Sequence, residues 1–360
     1  MSVNEQLVCW LEQCRKDAVP LVGGKNSSLG ELINAGIRVP PGFAITTNAY
    51  RLFLKKSGIK NRIEELLEGL EENDLEALDH ASGQIRNLIE STPFPLELED
   101  QIAEYYRKLS NHCCMPATPV AVRSSATAED LPDASFAGQQ DTFLWIRGVD
   151  DVLDRVKRCI SSLFTPRAIA YRVKNEFQHS EVAISVGIQK MANAWTAGVM
   201  FTINPANGDR SSIVIDSNFG FGESVVSGEV TPDHFVVSRV SNEIIARTIS
   251  HKEICYTVDP VSHASIRSEV PPERQDVQSL LDDEVMELAE MGKRIERHYG
   301  RPMDVEWAVD KTVPSGGNIF ILQARPETVW STKKREPVSK VKGTALDHIL
   351  SSVMAGKEIR

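Results

Sequence analysis

Apolar positions recur along this chain with two different periods, and the change from one to the other divides it. From about Lys55 to Cys114 the segments IEELLEGLEENDLEALDHASGQIRNLIE and LELEDQIAEYYRKLS place apolar residues three or four apart among many glutamates, the pattern of amphipathic helices with solvated acidic faces. DDVLDRVKRCISSLFTPRAIAYRVKN predicts a helix pair interrupted at Pro166. Beyond it the segments EVAISVGIQKM, AGVMFTIN, SSIVIDSNFGFG, HFVVSR, EIIARTIS, PMDVEWAVD and NIFILQARP are short, β-branched or apolar, and separated by Gly, Asn, Asp and Pro. They predict an antiparallel or mixed sheet, interrupted by one helix from roughly Asp282 to Tyr299. Near the start, VPLVGGKNSSLGELINAGIRVPPGFAITTNAY predicts a Gly-Gly-Lys loop, a helix stopping near Gly36, and a strand.

Composition narrows the class of protein. With 360 residues, 41% of them hydrophobic, the chain is long enough for two or three packed lobes. No apolar run approaches the roughly 20 residues of a membrane helix, and MSVNEQLVCW lacks the features of a signal peptide, so a cytoplasmic protein without a membrane partner is expected. The six cysteines have neither CxxC pairs nor metal-ligand spacing and are expected to be reduced thiols. A formal charge of −10 argues against a nucleic-acid partner, so any phosphate site has to be local.

Several groups could build such a site. The Gly23-Gly24 pair permits unusual backbone geometry and puts Lys25 near a helix N-terminus, a phosphate-facing position; the alternative is a helix cap with a solvated lysine. Arg123, at the expected end of the strand PVAV and followed by hydroxyls, suits polyphosphate or a structural salt bridge. SFAGQQDT, with Gly138 beside Gln139 and Gln140, has the composition of a mobile cover, or of a tight turn. Asp304 and Glu306 stand i, i+2 on one strand, as do Gln323 and Arg325 on another, so each pair shares a face. If the two strands are neighbours, the four side chains form an oxygen site for Mg²⁺ beside an arginine; otherwise they are a surface ladder of opposite charges.

Taken together, VPLVGGKNSSLGEL, AVRSSATAEDLPDASFAGQQDTF, NFGFGESVVSGEVTPDHFVV, MDVEW and LQARPET make the chain resemble the nucleotide-binding domain of the phosphoenolpyruvate synthase and pyruvate phosphate dikinase family, over about residues 15–331. The resemblance implies an α/β (α+β) ATP-grasp fold whose two lobes clamp ATP. The N-terminal lobe would span 1–190, with the helical insert at about 55–115, and the C-terminal lobe 191–331, leaving 332–360 as a linker and candidate docking helix. It further implies that Lys25 and Arg123 contact phosphates and that Gly138, Gln139 and Gln140 form the covering loop. Gln189, Lys190 and Met191 would make the adenine-side connector. Glu306 and Gln323 would hold Mg²⁺, with Mn²⁺ as an alternative, Arg325 would stabilise the transferring phosphates and Asp304 would support it. Lys25, Arg123 and Arg325 are thus the candidate catalytic residues; Thr202 and Glu223 fall in matching strands. In the family a phosphohistidine on a mobile domain carries phosphate to a separate acceptor site. None of the eight histidines lies in the glycine-flanked setting of that carrier, and His348 alone follows the expected ATP module. The expected function is therefore that of an ATP-binding dikinase subunit releasing AMP and dependent on a histidine-bearing, acceptor-binding partner subunit. The small subunit of phenylphosphate synthase fits best, with phenol as acceptor; the alternatives are a domain of a phosphoenolpyruvate synthase or rifampin phosphotransferase, and a non-catalytic ATP sensor.

Overall fold

The computed structural model describes residues 6–126, 130–131, 134–135, 142–175, 177–179, 182–259 and 264–330. Its first part runs β1 (Val8–Trp10), α1 (Val19–Asn34), β2 (Gly42–Ile45), α2 (Thr47–Lys56), α3 (Lys60–Leu67), α4 (Leu75–Ser91), α5 (Leu96–His112), β3 (Val120–Ala126), β4 (Asp130–Leu131), β5 (Ala134–Ser135), β6 (Thr142–Ile146), α6 (Val149–Ser161), α7 (Pro166–Lys174) and β7 (Ile184–Lys190). Five of these strands form an antiparallel sheet in the order β1-β2-β7-β3-β6. Helix starts follow local chemistry: the Thr46 hydroxyl accepts from Ala49 N, Asp74 caps α4 through Ala77 N, and Thr165 caps α7 with Pro166 in its first turn. The expected helical stretch begins earlier than about Lys55, because α2 already starts at Thr47. Phe53, Leu78, Ile85, Ile102 and Leu109 from these helices share one core with Val120, Val122, Val186 and Ile188 of the sheet. Each such side chain, fully withdrawn from water, contributes about 1.5–3 kcal/mol.

The second part runs β8 (Ala194–Phe201), β9 (Ser212–Phe219), α8 (Glu223–Val226), β10 (Asp233–Ser238), β11 (Glu243–Thr248), β12 (Ile254–Val258), β13 (Ser265–Glu269), α9 (Asp282–Tyr299), β14 (Met303–Asp310) and β15 (Ile319–Pro326). Six strands pair antiparallel in the order β11-β10-β9-β8-β14-β15. One face of this sheet buries Met200, Ile215, Phe235, Val305 and Trp307 against Val285, Leu288 and Ile295 of α9. Alternate residues therefore turn to the other face. Helix α9 carries three acids in its first turn and ends at the left-handed Gly300, favourable at both ends of its dipole. The β12–β13 hairpin, with its mixed residues ICYTV and SIRSE, lies outside the expected strands.

Helix α1 is shared. Leu21, Val22 and Leu29 pack with Leu11 and Cys14, whereas Leu32 belongs to the core beneath the six-stranded sheet. Contacts group Met1–Glu327 into one unit and Thr328–Arg360 into another, and of the latter only residues 328–330 are described. Among the described residues no helix is long and apolar enough to cross a membrane.

Candidate functional site

The Gly-Gly-Lys segment lies within a kinked helix and not in a free loop. Gly23 breaks α1 with φ 72°, and a Cβ there would stand 2.3 Å from both the carbonyl oxygen and the Oγ of Ser125. Only glycine permits both the backbone angle and that approach. The helix restarts with Lys25 in its first turn, where Lys25 Nζ donates to the Ser124 carbonyl at 3.3 Å. Asn26 is buried beside it; its Nδ2 donates to Val22 O at 3.0 Å and to Ser185 Oγ at 3.1 Å, and Gly187 of β7 leaves room for its Oδ1. The helix start is thus bolted onto β3 and β7.

Arg123 lies mid-strand rather than at a strand end, because β3 continues to Ala126. Ser124 and Ser125, the first hydroxyls after it, are buried. Arg123 Nη1 donates to the Leu322 carbonyl at 3.3 Å, which ties the five-stranded sheet to β15. The local cause is a bulge: Glu306 pairs with Gln323 and Trp307 with Ile321, so Leu322 is the extra residue. Bulges re-aim the backbone at such positions.

The four strand residues come together. β14 and β15 are neighbours, with Asp304 opposite Arg325 and Glu306 opposite Gln323. Since Met303, Val305 and Trp307 point into the core, Asp304 and Glu306 occupy the opposite face. Asp304 Oδ2 is 3.5 Å from Arg325 Nε, while its buried Oδ1 has no hydrogen-bond partner among the described residues. Burial pushes the Asp304 carboxyl up to about 6, against the opposing pull of Arg325. One carboxylate and one amide oxygen are hard donors that fit Mg²⁺, which takes few protein ligands and completes its octahedron with water and phosphate oxygens. The orphaned Asp304 Oδ1 adds a further oxygen beside that pair.

Lys25, Asn26, Arg123, Gln189, Leu322 and Gln323 line one crevice of about 10 Å³, room for a single water. Nucleotide-sized pockets are about 300 Å³ or more, so binding requires the walls to part. Gln189 is buried and its Nε2 donates to Pro40 O at 3.4 Å. The backbone N–H groups of Lys190 and Met191 already donate to Pro41 O and Pro119 O, each at 2.9 Å. These two positions therefore offer a base their carbonyls and side chains. Met191 joins an apolar cluster that includes Trp145, Phe221, Ala197, Ala308 and Leu322.

Thr202 is structural: its Oγ1 accepts from Met303 N at 2.8 Å and it is buried. Glu223 opens α8 and lies on no strand; burial raises its carboxyl pKa, with Glu229 adding to the effect. Gly138, Gln139, Gln140 and His348 lie outside the described residues, as does the tail from 331. Sequence reasoning missed Asn26 and Leu322; the adjacency of Asn26 to Lys25 was a usable signal, whereas the bulge at Leu322 left none.

A mixed fold of this kind, with a helix-borne lysine and a strand-borne arginine beside a second sheet that carries a carboxylate, an amide and an arginine, defines a nucleotide-binding domain of the ATP-grasp type. The chain belongs to the family of pyruvate phosphate dikinase AMP/ATP-binding domains, whose profile matches residues 19–345. It is similar to a probable phosphoenolpyruvate synthase of Staphylothermus marinus, with 45% identity over 360 residues, covering 94% of this chain and 43% of that protein. A probable phosphoenolpyruvate synthase of Methanocaldococcus jannaschii is 45% identical over 354 residues, 98% of this chain and 29% of the relative. A phosphoenolpyruvate synthase of Aeropyrum pernix is 42% identical over 362 residues, 94% of this chain and 44% of the relative. The chain spans less than half the length of these relatives.

Proposed function

We propose that this chain is the ATP-binding module of a phosphoenolpyruvate synthase-type dikinase, working as two lobes, about 1–190 and 191–331, that close on Mg·ATP. The observation that carries the reading is the pairing of Glu306 with Gln323 and of Asp304 with Arg325 on one sheet face, next to a crevice lined by Lys25 and Arg123. Lys25 and Arg123 bind phosphate oxygens from one side. Arg325, exposed and lightly held by Asp304, is placed to meet charge that develops during transfer. A magnesium ion held by Glu306 and Gln323 would supply charge neutralisation to the phosphates. The accepting histidine belongs to a further domain or a partner subunit, and AMP is the leaving product. From the sequence phenol comes first as acceptor; the relatives are named phosphoenolpyruvate synthases, which favours the alternative, a phosphoenolpyruvate synthase domain, with pyruvate as acceptor.

The test is AMP formation from Mg·ATP with pyruvate or phenol present, with and without the histidine-bearing component. AMP should appear only with that component, and with pyruvate; Glu306→Ala should abolish the Mg²⁺ dependence of ATP binding in calorimetry. Rapid AMP release by the chain alone, or production with phenol only, would refute the proposal.

A further inference from the structure

Trp145 combines three features that structure alone does not require. It holds a left-handed backbone, φ 59°, a costly conformation for a bulky side chain. The cause is a bulge, since Val120 pairs with Ile146 and Val122 with Phe143, leaving Leu144 and Trp145 opposite Ala121. Its ring is 8% exposed, yet its indole Nε1–H is buried without an acceptor among the described residues. A buried indole N–H normally finds one.

The surroundings suit a flat ligand. The Trp145 and Phe221 rings lie 5.8 Å apart, tilted by 37°, and the Arg147 guanidinium lies 5.7 Å from the indole centroid. The rest of the cluster is small: Ala192, Ala194, Ala197 and Ala308, with Met191 and Leu322 at its margin. Leu322 also lines the crevice of Lys25, Arg123 and Gln323. On the six-stranded sheet, Ala308 lies two residues from Glu306 on the same face. An apolar patch thus adjoins the polar pairs, matching a ligand with an aromatic base at one end and phosphates at the other.

We propose that Trp145 is the base-recognising residue of the nucleotide site: when the crevice opens, the purine ring inserts between the indole and the alanine floor, and a purine or ribose acceptor takes the Nε1 proton donor. The proposal rests on the ATP-binding reading above.

The test follows tryptophan emission and calorimetry of the whole chain titrated with ATP, ADP, AMP and inorganic tripolyphosphate. Trp145→Phe keeps a ring and gives up the donor. Trp145→Asn removes the ring while its side chain suits a left-handed backbone. In the unaltered chain all three nucleotides should change the emission, and in Trp145→Phe that change should vanish although four tryptophans remain of the five. Trp145→Asn should weaken all three nucleotides about tenfold or more, as loss of a stacked base does, and leave tripolyphosphate affinity unchanged. Unaltered nucleotide affinity in both variants overturns the assignment, and so does an equal loss for tripolyphosphate, which would mark Trp145 as a packing residue. If the unaltered chain binds tripolyphosphate but no nucleotide, the ATP reading itself fails.

Discussion

Replacing Gly23 by alanine separates two effects that usually come together. The backbone angles, φ 72° and ψ 170°, lie in a region essentially confined to glycine, and in other residues this costs about 1–3 kcal/mol. The added Cβ would also lie 2.3 Å from the Ser125 carbonyl oxygen, well inside ordinary contact, and overpacking of this kind costs about 1–3 kcal/mol. Gly58 supplies a comparison without the clash: it also has a positive φ of 72°, and a Cβ added there would meet nothing within 4 Å. Gly58→Ala should therefore lose about 1–2 kcal/mol and Gly23→Ala about 2–6 kcal/mol, against a total stability of about 5–15 kcal/mol. Urea unfolding of both variants gives the difference directly, provided the m-values agree. Gly23→Ala should also push the first turn of α1 off β3, and with it Lys25, whose Nζ reaches Ser124 O at 3.3 Å. ATP affinity should fall at least tenfold in that variant and remain unchanged in Gly58→Ala. Equal stability losses in the two variants, or intact ATP affinity in Gly23→Ala, would refute the idea that this close approach positions the lysine.

Other consequences are equally concrete. The Lys252–Asp233 pair is fully buried at 2.7 Å, and Asp233 also accepts from Ser279 N and Oγ; Lys252→Met should cost about 3–5 kcal/mol in urea unfolding by stranding the carboxylate, and a loss below 1 kcal/mol would contradict this. Asp304, raised by burial to about 6 from 3.8, binds its proton more tightly in the folded chain. Its stabilising contribution is therefore complete below the lower value and lost as pH rises through the higher one, so Asp304→Asn should flatten stability against pH in that window, and an unchanged slope would exclude it. Arg325→Lys keeps the charge but loses the planar fork, so ATP should still bind while single-turnover phosphorylation of the carrier histidine slows at least tenfold; an unaltered rate would remove Arg325 from the transfer step.

What could be read from the sequence was whatever depends on periodicity and short-range spacing. The i, i+2 placement of Asp304 with Glu306, and of Gln323 with Arg325, needs only strand geometry, and both pairs do lie on strands β14 and β15. Helix α9 spans Asp282–Tyr299, where the apolar spacing puts it. Long-range partners were hidden: nothing near Gly23 announces Ser125 as the atom it must clear, and nothing near Arg123 announces Leu322. Bulges were hidden too, because an extra residue at Leu322 or Trp145 is visible only against its partner strand. The β12–β13 hairpin escaped because its residues lie at the surface and carry no clean alternation, every position of β12 being half-buried.

The same long-range contacts decide where the crevice can widen. Helix α1 is docked to β3 at Gly23 and Asn26, and seven residues after Lys25 its Leu32 is buried under the six-stranded sheet. Between them Ser28 Oγ donates to Ala324 O of β15 at 2.7 Å and lies 3.1 Å from the Tyr299 hydroxyl. One rigid helix, rising about 1.5 Å per residue, thus fixes the separation of Lys25 from the strand that bears Gln323 and Arg325. Widening at this edge would break half-buried hydrogen bonds and draw Leu32 out of a core. At the other edge the facing surfaces are Trp145 and Leu144 against Ala197, Ala308 and Phe221, apolar contacts that a base of similar polarity can replace as they separate. Parting the walls there is the less costly motion, and it leaves Lys25 and the strands that bear Glu306 and Gln323 in register.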